Sequence, residues 1–406
     1  MHPIIAALKH HRTAVVLVLL EVALTCAIVT NAVFVIGSRL DAMHVVTGVA
    51  DREIVWARSS GLRDDATPAS RASLVAADLA ALRSMPGVQG VTMTNSLPLT
   101  GSYWRGVVYR KPGEEKSSID NVTFYFGTPG VVSTLGLTLV EGRDFLPQDF
   151  TDYDPFKDSP PPPGVIVTRA FADKVWPGAD PLGKPIYLDD TGKESTRVIG
   201  VVAHLLNPGL DKYSDNESNM LFPVRAVQGG MYVLRTSPEA RDATLRDLPK
   251  VLDGVDDQRI ITASKTLSES IDEHFHDDRA LIWLLLAVVG CLLALTALGV
   301  VGLSSFWVQQ RTRQIGIRRA IGATRRDILV YFQTENLLIV TGGIVLGSLG
   351  AVGLNLWLMA HYELPRMSLA VLPVGALVLW LIGQLAVLGP ALRASRVPPV
   401  VATRSV

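Results

Sequence analysis

Cysteine and charge are both scarce in this sequence. Only Cys26 and Cys291 occur among 406 residues, and both fall inside long apolar segments. The chain therefore lacks the cysteine pairs that stabilise small secreted domains. Charged residues make up 19% of the chain, and positive and negative charges balance to a net charge of zero. Together with a 48% hydrophobic content, this composition excludes intrinsic disorder.

The apolar residues gather in four long runs, and the mean hydropathy of the whole chain is +0.30. Residues 13–36 contain one charge, Glu21, and residues 328–360 contain one, Glu335. Residues 280–308 and 367–392 contain none. Since about 20 apolar residues cross a bilayer as a helix, each run predicts a transmembrane helix. The first run is longer than the apolar core of a signal peptide, so we expect it to be retained as a helix.

Basic residues flank the four runs unevenly. Lys9 and Arg12 precede the first run, six arginines lie within residues 309–327, and only Arg366 lies between the third and fourth runs. Residues 38–279 carry a net charge of −8, and the rest of the chain carries +8. The positive-inside rule then places both termini and residues 309–327 in the cytoplasm, and residues 38–279 outside.

The long outer segment has the size and pattern of an independent domain. It has 242 residues without cysteine, so its own hydrophobic core must stabilise it. Helical spacing over residues 70–84 and 171–176 alternates with short β-branched runs such as residues 88–93, 121–126 and 197–202. This pattern predicts an α+β domain, of one or two subdomains, with an exposed insertion or linker at residues 151–164.

The predicted fold is an α-helical membrane protein with four transmembrane helices and a large α+β extracytoplasmic domain between helices 1 and 2. Its segments, in order, are a cytoplasmic N-terminus and first helix (1–37), the outer domain (38–279), the second helix (280–308), a cytoplasmic loop (309–327), the third helix (328–360), the fourth helix (367–392) and a cytoplasmic tail (393–406).

Two motifs resemble reactive or ligand-binding sites, and neither is predicted to be one. Residues 178–185, GADPLGKP, nearly match a phosphate-binding loop, but Pro185 stands where a Ser or Thr hydroxyl must reach magnesium. We interpret this segment as a turn before a strand. The HFHDD sequence at residues 274–278 has two histidines without further clustered ligands, so it indicates a polar junction before the second helix. We expect no catalytic residue, metal or cofactor in this chain.

Charged and small residues within the predicted spans are a further set of candidates. Glu21 and Glu335 are intramembrane carboxylates, which are candidates for a proton pathway by default. Interhelical hydrogen bonding, or for Glu335 a position reaching the interface, is the interpretation that we favour. Gly343, Gly347 and Ala351 recur every fourth residue, and this spacing predicts close helix packing.

Residues 309–327 combine six arginines with isoleucine and alanine at helical spacing. One interpretation is an amphipathic helix at the surface of an anionic bilayer. The other is a docking helix for a cytosolic partner.

The segment from Arg313 to Ala323, RQIGIRRAIGA, precedes a span that contains Glu335 and a glycine-rich stretch. This arrangement resembles the signature of MacB/FtsX-type ABC transporter permeases. Other segments are similar to the periplasmic core domain and cytoplasmic end of that family: FGTPGVVSTLGL (126–137), EGRDF (141–145), VIVTRAFA (165–172), WPGADPLGK (176–184), VIGVV (198–202) and PALRASRVPP (390–399).

The resemblance implies an ATPase-coupling role for one set of residues in the loop: Arg313, Gln314, Ile315, Gly316, Arg318, Arg319, Ala320, Gly322 and Ala323. The family commonly has Glu where this chain has Gln314, which puts the details of coupling in question. We expect no ATPase domain fused to this chain, so the resemblance implies a separate cytosolic ABC ATPase subunit that binds ATP and Mg²⁺.

The other implied partners are a second permease chain, identical or related, and the lipid bilayer. The resemblance is also compatible with a periplasmic adaptor. We expect no nucleic acid partner. The implied location is the bacterial cytoplasmic membrane. The implied function is export or extrusion of a substrate met on the outer side, by mechanotransmission. Mechanical control of an envelope hydrolase, and a scaffold or sensor without transport, are the alternatives.

We predict that Arg318→Glu combined with Arg319→Glu abolishes recovery of the ATPase subunit, because the reversal places acidic groups on the docking segment. Membrane insertion should not change. Affinity purification in detergent with mass spectrometry measures both properties, and normal recovery of the ATPase would remove these arginines from coupling.

Overall fold

The computed structural model describes residues 12–61, 67–101, 104–114, 116–153, 159–210, 215–362 and 368–398. Two compact units are present: Met1–His44 with Asp278–Val406, and Val45–Asp277. Lys9, Arg366, Met367 and the tail beyond residue 398, which were part of the predictions above, lie outside the described residues.

Within those residues the helices are α1 (Arg12–Met43), α2 (Pro68–Arg83), α3 (Val131–Leu135), α4 (Arg169–Val175), α5 (Arg241–Val255), α6 (Leu267–His274), α7 (His276–Gln310), α8 (Thr312–Ala320), α9 (Arg325–Tyr362) and α10 (Leu372–Ser395). The strands are β1 (Ile54–Gly61), β2 (Val88–Thr94), β3 (Trp104–Val108), β4 (Ile119–Gly127), β5 (Leu139–Gly142), β6 (Gly164–Thr168), β7 (Pro185–Tyr187), β8 (Ser195–Val202), β9 (Asn219–Pro223), β10 (Met231–Thr236) and β11 (Arg259–Thr266).

Among the described residues, four helices, α1, α7, α9 and α10, are long and apolar enough to cross a membrane. The large α+β domain lies between the first and second of them in the chain, so the predicted fold class is confirmed. The helices share a buried apolar core that includes Val22, Cys26, Val340, Ile344 and Leu379.

Two glycines of α9 allow the backbones of α9 and α1 to come close together. A Cβ built on Gly343 would lie 2.7 Å from the Val22 Cβ, and one built on Gly347 would lie 2.4 Å from the Ala23 carbonyl oxygen. Ala351, one turn further along α9, is fully buried. Small residues at this spacing leave room for the two helix backbones to come into contact, which is a common way for helices to associate within lipid.

The large domain is built on one eleven-stranded sheet. Its order is β11-β1-β10-β2-β4-β9-β6-β8-β5, with β3 also paired to β4 and β7 also paired to β8. Alternate residues of each strand point to opposite faces, so two buried cores form. Val55 and Ala57 of β1 belong to the core that includes residues of α2, α4 and α5. Ile54 and Trp56 of the same strand belong to the core that includes residues of α3 and α6.

The two halves of this sheet meet at a single residue pair between β2 and β4, Thr94 with Gly127. Polar contacts reinforce the junction: the Thr128 hydroxyl accepts a hydrogen bond from the Met93 amide at 2.7 Å, and the Asn95 side chain donates to the Phe124 carbonyl at 2.9 Å. The sheet is therefore continuous through the domain, although its two halves share little backbone pairing.

The predicted turn at residues 178–185 is confirmed. Pro185 begins β7, and the Lys184 amide donates to the Pro181 carbonyl at 3.2 Å. The Lys184 ammonium lies 5.4 Å from the centroid of the Trp176 ring. The lysine thus packs on an aromatic ring within the domain.

The prediction of an exposed insertion at residues 151–164 is wrong in part. Thr151 forms an isolated β-bridge with Val224, the Tyr153 ring stacks on Phe222, and Pro162 is buried. Aromatic packing against the core holds the first end of this proline-rich stretch, and the second end is buried where it enters β6 at Gly164. Residues 154–158 lie outside the described residues.

A buried polar cluster ties α2 to the sheet. The Arg259 guanidinium of β11 donates to both oxygens of Asp78, at 2.8 and 2.9 Å, and the Tyr232 hydroxyl donates to the same carboxylate. Asp78 is fully buried and the Arg259 side chain is 3% exposed. Burial raises the pKa of the Tyr232 hydroxyl, so the phenol stays protonated and keeps donating.

We predict that Asp78→Asn destabilises the large domain by about 3–5 kcal/mol, because the change leaves the buried Arg259 charge without its counter-ion. Denaturant unfolding of the purified chain measures the loss. The matched control is Asp247→Asn, since Asp247 pairs with Lys250 on the surface and such pairs contribute only about 0.2–1 kcal/mol. Equal midpoints for the two variants would contradict the prediction.

We also predict that Gly347→Ala weakens the helix bundle by about 1–3 kcal/mol, because the new methyl group would overlap the Ala23 carbonyl oxygen. Gly353→Ala is the matched control on the same helix, where a Cβ meets nothing within 4 Å. That variant should be neutral or slightly stabilising, since alanine is the better helix former. Titration with SDS in mixed micelles compares the two, and a Gly347→Ala variant as stable as the control would disprove close packing at this position.

Candidate functional site

The short helix α8 lies between the membrane helices α7 and α9, within the loop that the sequence singled out. It is separated from α7 by one residue, Arg311, whose amide donates to the Trp307 carbonyl at 3.0 Å and whose carbonyl accepts from the Ile315 amide at 2.9 Å. Backbone hydrogen bonds thus continue through the break. The Arg311 backbone itself, with φ of −99° and ψ of 9°, departs from helical geometry.

A glycine ends α8, and a cap begins α9. Gly322 has a φ of +110°, a conformation that glycine adopts at little cost. Two residues on, the Thr324 hydroxyl and the Asp327 carboxylate cap the first turn of α9, with the Thr324 amide 2.8 Å from the carboxylate. Both ends of α8 are therefore set by local sequence.

One face of α8 packs inward. Ile315 is 4% exposed and Gly316 is also buried. Ile315 belongs to a small apolar cluster with residues of α7, α9 and α10: Val308, Ile328, Phe332, Ala391 and Ala394. Ala323, just beyond α8, packs on the same cluster. The inner face of α8 is thus part of the membrane unit.

A buried ion pair holds the beginning of α8. Nη1 of Arg311 lies 3.0 Å from both carboxylate oxygens of Glu335 on α9, and the Arg311 guanidinium lies 5.8 Å from the centroid of the Trp307 ring. Glu335 is 1% exposed. Its carboxylate is thus engaged in a buried ion pair with a residue at the end of the preceding span, in line with the interhelical hydrogen bonding that we favoured.

Two further arginines of α8 contact the same unit. The Arg319 guanidinium donates to the Val397 carbonyl at 2.6 Å, beyond the end of α10. The Arg318 guanidinium lies 4.9 Å from the centroid of the Tyr331 ring, a distance that allows a cation–π contact. Arg319 thus has an internal role, and a double charge reversal at both arginines would also break the contact to the tail.

The opposite face of α8 is exposed and carries apolar side chains. Ile321 is 82% exposed and Ile317 is 44% exposed, and they are one helical turn apart. Arg313, Gln314 and Ala320 are exposed on the same short segment. The predicted coupling residues are therefore divided between an inner face and an outer face, which the sequence did not distinguish.

Arg311 was missed as a site residue. Its signal in the sequence was indirect: an arginine directly after a span, and a single carboxylate, Glu335, inside the next span. A carboxylate in apolar surroundings needs a cationic partner. Six nearby arginines competed for that role, and only the fold identifies the one that fills it.

Glu21, the other predicted intramembrane carboxylate, lies at the contact between α1 and α7. A Cβ built on Gly299 of α7 would be 2.5 Å from the Glu21 carboxylate. One turn further, the hydroxyls of Thr25 and Thr296 are 2.9 Å apart. These groups form a polar strip between the two helices.

The large domain contains a cavity with a volume of about 370 Å³, which no sequence motif indicated. Asp51 lines it and accepts a hydrogen bond from the Thr47 hydroxyl at 2.6 Å, and burial raises the pKa of the Asp51 carboxyl. His204, also at the cavity, lies 3.1 Å from Glu217. These groups can hydrogen-bond a small polar molecule.

Two family models match most of the chain. The model described as the MacB-like periplasmic core domain matches residues 15–251, and the model described as FtsX-like permease C-terminal matches residues 286–399. The first match alone covers more than half of the chain, and the second contains α8, α9 and α10.

Curated relatives agree with these models. The chain is 26% identical over 364 residues to the macrolide export ATP-binding/permease protein MacB of Acinetobacter baylyi. This alignment covers 86% of this chain and 50% of the relative. It is 26% identical over 408 residues to the MacB protein of Nitrobacter winogradskyi, covering 94% of this chain and 60% of the relative. The uncharacterized ABC transporter permease YvrN of Bacillus subtilis is 36% identical over 107 residues, or 26% of each chain.

Solved structures show weaker likeness. The periplasmic region of MacB from Actinobacillus actinomycetemcomitans aligns with a TM-score of 0.36 and 17% identity, covering 57% of this chain and 96% of that one. The extracellular domain of the transporter YknZ from Gram-positive bacteria aligns with a TM-score of 0.33 and 17% identity, covering 51% of this chain and all of that one.

The chain spans about half the length of the first of these curated relatives. The matched models extend through the large domain and through the membrane segment that contains α8. This protein therefore belongs to the MacB/FtsX-like family of ABC transporter permeases.

Proposed function

We propose that this protein is the permease subunit of an ATP-driven transporter in the bacterial cytoplasmic membrane. A separate ATPase subunit binds ATP and Mg²⁺ on the cytoplasmic side, where we place α8 and both termini. A second permease chain completes the transporter, and a periplasmic adaptor is compatible with it. The uneven charge, −8 for residues 38–279 and +8 for the rest, supports this orientation.

The observation that carries the proposal is the two-sided character of α8. Its inner face is held by Ile315, by the Arg311–Glu335 ion pair and by the Arg319 contact to Val397. Its outer face leaves Ile317, and Ile321 directly after its end, exposed. A helix anchored on one side and apolar on the other is suited to dock into a partner without moving independently of the membrane helices.

The outer face also specifies the chemistry of the partner surface. Two exposed isoleucines one turn apart fit an apolar groove. Arg313, on the same short segment, is exposed and would meet acidic groups at the rim of that groove. We therefore expect an ATPase surface with an apolar floor and carboxylates around it.

Displacement of α8 would pass to the large domain through α9 and α1. α8 is tied to α9 by Arg311 and Glu335, and α9 is packed closely on α1 at Gly343 and Gly347. α1 continues along the chain into the large domain, which begins at Val45. Mechanotransmission of this kind needs an ATP-dependent bias between two arrangements of the helices.

The substrate would be met outside the membrane. The four spans are apolar over most of their length, so they offer little polar lining for a pore. We accordingly propose extrusion of a substrate that the large domain contacts. The MacB relatives carry macrolide export in their names.

We predict that Ile317→Glu combined with Ile321→Glu lowers recovery of the ATPase subunit by at least about tenfold, since removal of a central apolar anchor costs 2 kcal/mol or more at an interface. Both side chains are exposed, so folding and membrane insertion should be unaffected. Affinity purification from native membranes, mass spectrometry and an ATP hydrolysis assay give the measurement.

Ile260→Glu is the matched control, because Ile260 is an isoleucine of the large domain that is 53% exposed. This variant should recover the ATPase as the wild type does. Two results would reject the proposal: a wild-type chain that recovers no ATPase and hydrolyses no ATP with cytosolic extract, or a double variant that recovers the same ATPase in full.

A further inference from the structure

The proposed docking face of α8 makes no use of the buried ion pair between Arg311 and Glu335. Glu335 lies ten residues into α9, roughly 15 Å along the helix axis. It is 1% exposed and Arg311 is 9% exposed, so both charges have been removed from water. A feature of this kind is retained at a cost in desolvation and needs an explanation.

Stability does not supply that explanation. Buried ion pairs can often be replaced by apolar side chains of similar volume with no loss of stability, or with a gain. Large apolar side chains lie near this pair, with Trp307 beside Arg311 and the buried Phe332 one turn before Glu335. Packing alone would therefore accept an apolar pair. An apolar pair would not fix the relative orientation of its two side chains. Charged hydrogen bonds do so, because they have preferred distances and angles, whereas dispersion contacts have no preferred angle.

The position of Arg311 shows which helix the ion pair orients. Arg311 is the single residue between α7 and α8, and its backbone hydrogen-bonds to both helices. Its side chain contacts a third helix, α9, at Glu335. The orientation of α8 on the membrane unit is therefore set, at the residue that precedes its first turn, by a contact to α9.

The far end of α8 has a second tie. Arg319 donates to the Val397 carbonyl beyond α10, and Ile315 fills the space between the two ties. A nine-residue helix held at both ends and in the middle moves as one body with the helices that hold it. Without the first tie, α8 could tilt about its contact at Arg319.

We propose that Arg311 and Glu335 are positioning residues, and that their ion pair is the joint through which displacement of α8 reaches α9. The pair does not bind the ATPase. It keeps α8 and α9 at one relative orientation, so that a partner docked on α8 moves the membrane helices instead of bending α8. This inference rests on the proposed function for its consequence, but the joint itself is a property of the permease alone.

The first test therefore uses the full permease in nanodiscs without any ATPase. Spin labels are placed at Ala320→Cys on α8 and Leu338→Cys on α9, both exposed positions, in a background with Cys26→Ala and Cys291→Ala. Electron–electron double resonance then gives the distribution of distances between α8 and α9. We expect one narrow distribution for the parent protein and a distribution broader by about twofold or more when the ion pair is removed.

Two variants remove the pair in different ways. Glu335→Gln leaves the Arg311 charge buried without a counter-ion, so it carries a risk of misfolding. Arg311→Met combined with Glu335→Leu replaces the pair with apolar side chains and should fold with a thermal midpoint close to that of the parent. The double variant keeps the test informative if the single variant does not fold.

Asp278→Asn is the matched control. Asp278 lies near the other end of α7 and pairs with Arg39 of α1 at 2.8 Å, so the variant also removes one charge from an ion pair between membrane helices. The distance distribution between α8 and α9 should not change in this variant. Broadening in the control as well would show a general loosening of the bundle and would overturn the assignment of the joint.

The second test adds the co-purifying ATPase. In the double variant we expect ATPase recovery within about twofold of wild type, because the outer face of α8 is intact. The change in ATP hydrolysis rate that the wild-type permease causes in its ATPase should disappear. Retained binding with lost coupling distinguishes a positioning role from a docking role.

The outcomes separate the two proposals. If wild-type permease recovers no ATPase, the proposed function fails, and the first test still decides whether the joint exists. If the stable double variant keeps a distribution as narrow as the parent and affects hydrolysis as the wild type does, the joint is disproved while the proposed function stands. Loss of ATPase binding in the double variant would likewise overturn a pure positioning role.

Discussion

A fully buried charge is stabilised by a partner of opposite charge, and ion pairs of this kind shape both units of the protein. In the membrane unit one such pair brings Arg311, at the end of one span, to Glu335 within the next. In the large domain another brings Arg259 of β11 to Asp78 of α2. The first pair joins groups 24 residues apart at consecutive spans, and the second joins groups 181 residues apart. Each also fixes an orientation that apolar packing would leave less well defined.

The membrane unit combines its ion pair with close backbone packing. Gly343 and Gly347 let α9 approach α1, while Ile315 and Arg311 attach α8 to α9. Contacts of these two kinds together form a continuous connection from α8 to α1. All of α8, α9 and α10 lies within the segment that the FtsX-like permease model matches.

Much of the architecture could be predicted from the sequence because bilayer crossing depends on local composition. Runs of apolar residues interrupted only by Glu21 and Glu335 correspond to helices long enough to span. The large domain was harder. β9, with five buried residues, has no alternating pattern because it is covered on both faces. Residues 151–164 looked like a linker because prolines dominate them, whereas Tyr153 packs on Phe222.

In the candidate site, too, local sequence determined some features and tertiary structure determined others. The segment RQIGIRRAIGA determined that a short, basic, partly apolar helix would follow the second span, since helix propensity, the terminating Gly322 and the Thr324 cap are all local. Which residues face inward was decided by tertiary structure. Ile315 is buried and Ile321 is 82% exposed, although both are isoleucines of one short segment. Arg311, rather than any of its five neighbouring arginines, meets Glu335, because the partner of a buried charge depends on how the helices cross and not on the order of residues along the chain.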